Sequence, residues 1–171
     1  HQIRALVRVF EQELPEEIRP YVHLGATSVD ILDTATALRT RDATRNVVVP
    51  LLLDLVEELV SITEREAETP QVGRTHGRHA VPITVGFAFS EYVARLGKSV
   101  ERIWSYKTDL RGKLSGAVGG YNAMSLITGD PVEVEKSFLK KLGLAPADYA
   151  NQVVEPEYLL RLLFVLQLLL D

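Results

Sequence analysis

The side chains best suited to chemistry lie in three stretches rich in glycine, threonine, serine and histidine. They are His23-Leu24-Gly25-Ala26-Thr27-Ser28, Gly73-Arg74-Thr75-His76-Gly77-Arg78-His79-Ala80 and Ser115-Gly116-Ala117-Val118-Gly119-Gly120-Tyr121. Three of the four histidines fall in the first two. Functional groups concentrate on loops held by a rigid scaffold, so this clustering is the first functional signal. A histidine in a glycine-containing turn beside arginines could serve as general acid or base for an anionic substrate. A plain surface histidine pair accounts for His76 and His79 equally well. The two would share a metal only on a helix, and Pro70, Gly73, Gly77 and Pro82 oppose one. With no nearby carboxylate to complete a site, zinc is not expected.

Thr27-Ser28-Val29-Asp30 precedes a long periodic stretch and has capping-box spacing. Asp30 and Asp33 suit the first turn of a helix through the macrodipole. The same unpaired N–H groups with two hydroxyls would also suit a carboxylate or phosphate, and the two readings are compatible. The third stretch superficially suggests a phosphate loop. It lacks the lysine and the glycine spacing of the nucleotide motifs, so its glycines point to a tight turn or a close backbone approach. Asn151-Gln152 precedes the last helix; a buried amide there is either structural or reads a polar ligand.

Helices must position these groups. Ile3, Leu6, Val7, Phe10 and Leu14 form one apolar stripe that stops at Pro15. A second periodic stretch runs from Asp30 to about Glu68, with Leu52, Leu55, Val56, Leu59 and Ile62 on one face. Pro50 either kinks it or opens its second half. A third helix is predicted from near Thr84 to near Lys113, a shorter one from Val132 to Leu142 with Gly143 as its stop, and a last one from near Pro156. Glu64-Arg65-Glu66-Ala67-Glu68 reads as a solvated helix end. Convincing strand alternation is absent, so the fold class is all-α, a bundle of long helices.

The 171 residues carry 23 acidic and 19 basic side chains, a net charge of −4, which argues against a nucleic-acid-binding surface. There is no cysteine, which excludes disulfides and thiolate metal sites. On length alone the chain is one domain with a real core. Leu159 to Leu170 is nearly all apolar, yet such a helix is about 18 Å long against a bilayer core of about 30 Å. Arg161 and Gln167 also interrupt it, so burial at the centre of a bundle is expected and a membrane role is not. The start at His1 and the stop after this run mark the chain as an expected fragment. Cytoplasm is the default compartment.

Together, HLGATSVDILDTATALRTRDA, GRTHGRHAVPITVGFAF, LSGAVGGYNA and NQVVEP, in this order, resemble the fumarase/aspartase superfamily and most of all its adenylosuccinate lyase family. The resemblance covers nearly everything from about His23 onward. It implies a long-helix bundle of the fumarase/aspartase type, truncated, in which 1–28 end an N-terminal helical domain and 29–171 form the first part of the central bundle. It implies a homotetramer with shared active sites, a purine nucleotide substrate and no metal or organic cofactor. The implied reaction is β-elimination of fumarate with C–N cleavage, from adenylosuccinate (leaving AMP) and from the succinyl-carboxamide intermediate of purine biosynthesis.

Carried over by position, the resemblance makes His76 the general acid that protonates the leaving nitrogen. It makes Thr75 a substrate-binding residue, Thr27 and Ser28 the pair that holds a substrate carboxylate, His23 a histidine of the same pocket, and Gln152 a substrate-contacting glutamine. Arg78 stands where the family often has glutamine, and Gly120 where it usually has threonine. The loop with the family's catalytic serine and its substrate-binding lysine would lie beyond Asp171, and the phosphate-binding N-terminal segment is missing too. The general base is therefore unassigned in this chain. Two other readings remain: a carboxymuconate cycloisomerase-like enzyme, whose relatives generally lack the counterpart of His76, and a non-catalytic helical scaffold.

Overall fold

A computed structural model describes residues 2–170. Six α-helices carry most of the chain: α1 (Gln2–Glu13), α2 (Ser28–Ala43), α3 (Val49–Arg65), α4 (Val85–Tyr106), α5 (Pro131–Lys141) and α6 (Glu157–Gln167). The fold is all-α, as expected, and none of the helices among the described residues is long and apolar enough to cross a membrane. Where length suggested a single domain, the chain divides into two compact units. One comprises residues 1–41 and 108–160, the other 42–107 and 161–171.

The second unit is built on a helix–hairpin–helix. Pro50 sits in the first turn of α3, where its missing N–H costs nothing, and a π-turn over Thr44–Val48 precedes it. The proline thus opens the second half of the stretch. Between α3 and α4 the chain makes two antiparallel strands, β1 (Pro70–Thr75) and β2 (Arg78–Thr84). This hairpin corrects the expectation of no strands. Its strands are exposed at nearly every position, so they carry no apolar alternation to read. Thr84 caps α4 by accepting the Phe87 N–H at 3.1 Å. At the end of α3, Arg65 (2.9 Å) and the Thr69 hydroxyl (2.8 Å) donate to the Glu66 carboxylate and hold its pKa below the usual value. Lys107, after α4, is buried over the Trp104 ring; burial first, and the charge of Arg45 second, push its pKa down.

In the first unit α4's predicted extension to Lys113 does not form. Residues Arg111–Gly112 (β3) instead pair in parallel with Ala145–Pro146 (β4). This takes Lys113 off a helix face and into the interior. Helix α5 begins at Asp130, whose carboxylate accepts the Glu133 N–H at 3.0 Å, and stops where Gly143 turns left-handed. Arg41 of α2 donates to the carbonyls of Leu142 (2.7 Å) and Gly143 (3.1 Å), satisfying the orphaned end of α5. Ala37, Leu110, Met124, Leu139 and Leu144 supply the apolar core here.

Helix α6 buries part of its apolar surface within this chain. Leu162 and Val165 are buried, but Leu160, Leu163, Phe164 and Leu168 are exposed. One stripe, at spacing i and i+3, is covered within this chain.

Candidate functional site

The loop before α2 is the local consequence of its sequence. His23 and Gly25 both adopt left-handed backbone, and the Ala26 N–H closes a turn on the His23 carbonyl at 3.2 Å. The helix then starts at Ser28 with Thr27 as its cap residue. The Asp30 carboxylate returns to accept the Thr27 N–H at 2.8 Å, which is the reciprocal half of the expected capping box.

Asp30 does far more than cap. It is 1% exposed, and besides Thr27 it accepts the backbone N–H groups of Ser115 (3.3 Å) and Gly116 (3.2 Å). The ammonium of Lys113, wholly buried, donates to the same carboxylate and to the Gly116 carbonyl at 3.0 Å. Thr34, one turn along α2, brackets Lys113: its hydroxyl donates to the Lys113 carbonyl (3.2 Å) and accepts the Lys113 N–H (3.1 Å). The glycine-rich third stretch is thereby tied to the start of α2.

A second buried carboxylate shapes the other side of that stretch. Glu135 of α5 accepts the Leu114 N–H and the Tyr121 phenol, both at 2.6 Å. Burial, and then the hydrogen bond to this carboxylate, drive the Tyr121 pKa far above its ordinary value. Gly119 is left-handed, and a Cβ there would sit 2.0 Å from the Ala150 carbonyl oxygen, so the loop touches the 150–154 segment backbone to backbone. That close approach is what the glycines were expected to allow.

An isolated bridge between Ala150 and Val154 closes a small loop with Gln152 at its tip. Asp33 of α2 accepts the Val154 N–H at 2.8 Å. Asn151 and Gln152 are exposed in this chain. The first unit therefore gathers His23, Thr27, Ser28 and the flanks of Gln152 around the start of α2. Two polar atoms there, His23 Nε2 and Ser115 Oγ, are buried with no hydrogen-bond partner among the described residues.

Thr75 and His76 belong to the other unit. Thr75 pairs with Arg78, leaving His76-Gly77 as a two-residue turn in which both residues have positive φ, 53° and 71°. That is the type I′ geometry, whose twist matches a hairpin and for which glycine at the second position is favoured. For His76 the left-handed conformation costs on the order of 1 kcal/mol and holds its exposed ring at the hairpin tip. His79 lies on β2 opposite Arg74, so the two histidines share no helix face. Among the described residues no group of three or more histidine, aspartate or glutamate side chains is placed to hold a metal ion.

Lys113, Glu135 and the central place of Asp30 were missed from sequence. Their one sequence signal is adjacency: Lys113 directly precedes Leu-Ser-Gly, and Asp30 follows Thr-Ser by two residues.

Known proteins share this fold. The family profile described as "Lyase" matches residues 4–170. The chain belongs to that family. Curated relatives within reach of this lyase-family chain include the adenylosuccinate lyase of Pyrococcus horikoshii, 37% identical over 98% of this chain and 36% of its own length. That of Pyrococcus abyssi is 38% identical over the same shares. The chain thus spans about a third of the length of the curated relatives it matches. Among solved structures, 3-carboxy-cis,cis-muconate lactonizing enzyme from Pseudomonas putida superposes with a TM-score of 0.82 at 30% identity, covering 97% of this chain and 37% of that one. A fumarate lyase from Mesorhizobium sp. BNC1 shares the fold with a TM-score of 0.87 at 24% identity, over 97% and 38%. The lyase fold of the fumarase/aspartase superfamily is therefore the fold of this chain.

Proposed function

We propose that the chain is the acid-bearing part of an adenylosuccinate lyase, working within a longer polypeptide. The observation that carries this reading is the identity of 37–38% with adenylosuccinate lyases across 98% of the chain. The reaction breaks the C–N bond of the succinyl group. A base takes the proton from the neighbouring carbon, the electrons form the double bond of fumarate, and His76 gives its proton to the departing nitrogen. The base belongs to a residue outside this chain. His76 suits the acid role by its chemistry and by the tip of the hairpin that presents it, with Thr75 beside it as a substrate contact.

Thr27 and Ser28 hold a substrate carboxylate at the start of α2, where hydroxyls and unpaired N–H groups favour an anion. His23 and Gln152 complete the contacts. The reaction as written needs neither a metal nor an organic cofactor. In this reading residues 1–28 close an N-terminal domain and 29–171 begin the central bundle, the enzyme is a cytoplasmic homotetramer, and its active sites are shared between subunits.

The test is incubation of the intact protein with adenylosuccinate. Release of fumarate with AMP supports the reading, and no turnover ends it. A second reading, cycloisomerisation of a carboxymuconate, is not favoured: the muconate lactonizing enzyme is 30% identical, against 37–38% for the adenylosuccinate lyases. Consumption of 3-carboxy-cis,cis-muconate without fumarate release from adenylosuccinate would establish it.

A further inference from the structure

A buried ion pair is a poor source of net stability. Removing two charges from water costs several kcal/mol per ion, and well-packed apolar replacements often match or exceed it. The pair formed by Asp30 and Lys113 needs another explanation, and its connections supply one. The single carboxylate of Asp30 gathers the N–H of Thr27, from the loop before α2, and those of Ser115 and Gly116, from the glycine-rich loop. Lys113 adds its own hold on the Gly116 carbonyl, and Thr34 fixes the Lys113 backbone from the next turn of α2. Asp30, Thr34, Lys113 and Ser115 are buried and Thr27 and Gly116 half-buried, so solvent competes little for the bonds at the centre of the network.

We propose that Asp30 and Lys113 are positioning residues: they lock the Thr27–Ser28 helix start against the 115–120 loop, and so set the geometry of the carboxylate-binding subsite. The inference rests on Thr27 and Ser28 holding a substrate carboxylate. Neither Asp30 nor Lys113 touches the ligand. Asp30 has its lone pairs directed at four donors, and Lys113 has no exposed surface. Their contribution is preorganisation: the hydroxyls and the first N–H groups of α2 meet the ligand without first being ordered. The clamp holds the carboxylate-binding start of α2 and does not include His76, so loosening it acts on binding before it acts on proton transfer.

The experiment uses the full-length protein with Lys113→Met, which is unbranched, one atom shorter and uncharged. In the folded variant KM for adenylosuccinate should rise roughly 10- to 100-fold while kcat stays within about threefold. Backbone amide exchange at Thr27, Ser115 and Gly116 should accelerate in the same variant. An unchanged KM in the folded variant, or unchanged protection at all three amides, would overturn the proposal. A purely structural pair would lower the melting temperature and leave the kinetics of the folded enzyme intact, which also overturns it. Should Lys113→Met not fold, Thr34→Val decides by the same two measurements, since it removes only the bracket on Lys113. If the wild-type protein releases no fumarate, the functional reading fails, and the exchange measurement still decides the clamp.

Discussion

The carboxylate of Asp33 accepts the N–H of Val154 at 2.8 Å, joining positions 121 residues apart in sequence. One turn earlier, Asp30 binds the glycine-rich loop in the same way. Asp30 in the first turn of α2 and Asp33 in the second thus both seize backbone from distant segments. The macrodipole favours a carboxylate in the first turn, and the tertiary contacts of Asp30 put that preference to use.

His76→Gln should lower kcat for adenylosuccinate by roughly 10²–10⁴ while the fold survives, because glutamine cannot donate a proton on demand. Circular dichroism reports the fold and fumarate absorbance the rate. An unchanged kcat removes His76 from the acid role.

Ser28→Ala should raise KM roughly 10- to 100-fold, the weight of one hydrogen bond to a charged group. Circular dichroism checks that the variant remains folded. A KM equal to wild type would detach Ser28 from the ligand.

Gly119→Ala should destabilise the protein by on the order of 3 kcal/mol, from the left-handed backbone and the collision with Ala150 together. Gly120→Ala should be far milder, since the nearest atoms to a Cβ there belong to side chains, Asn122 at 3.0 Å and Val118 at 3.9 Å. Equal melting temperatures for the two variants would refute the close approach.

Tyr121 gives a pH signature. Its folded pKa is raised above the ordinary 10.0, so the neutral phenol is favoured by folding. The stabilisation is complete below pH 10 and declines as pH rises beyond it, where the unfolded chain releases the proton first. In an alkaline absorbance titration one tyrosine of the six should therefore ionise late. Tyr121→Phe should abolish that late component, and its persistence would assign it elsewhere.

The parts of this site that were legible in the sequence are those set by local rules. The capping spacing of Thr27 and Asp30 and the glycine after His76 each announce a turn within four residues. The Asp30–Lys113 pair spans 83 positions, and Lys113 extends the periodic pattern of α4, so nothing local separates it from a solvated helix end. Glu135 is hidden for the same reason: within α5 it reads as an exposed acid, and only the fold brings Leu114 and Tyr121 to it. The hairpin escaped because its strands bury almost nothing. Hydrophobic periodicity reports burial, and a pair of strands held by backbone bonds on an exposed surface leaves little trace of it.

The saturation of Asp30 also sets how the site should respond to ionic strength. Its negative charge is offset at contact range by Lys113, so a dianion approaching Ser28 meets short-range dipoles and no net charge from this carboxylate. Fields of that kind fall away within a few ångströms and are little affected by dissolved salt, whereas attraction between separated charges fades over about 10 Å at 0.1 M. Affinity at this subsite should therefore change only slightly between dilute and concentrated salt, and it should do so wherever the intact Asp30–Lys113 pair is retained.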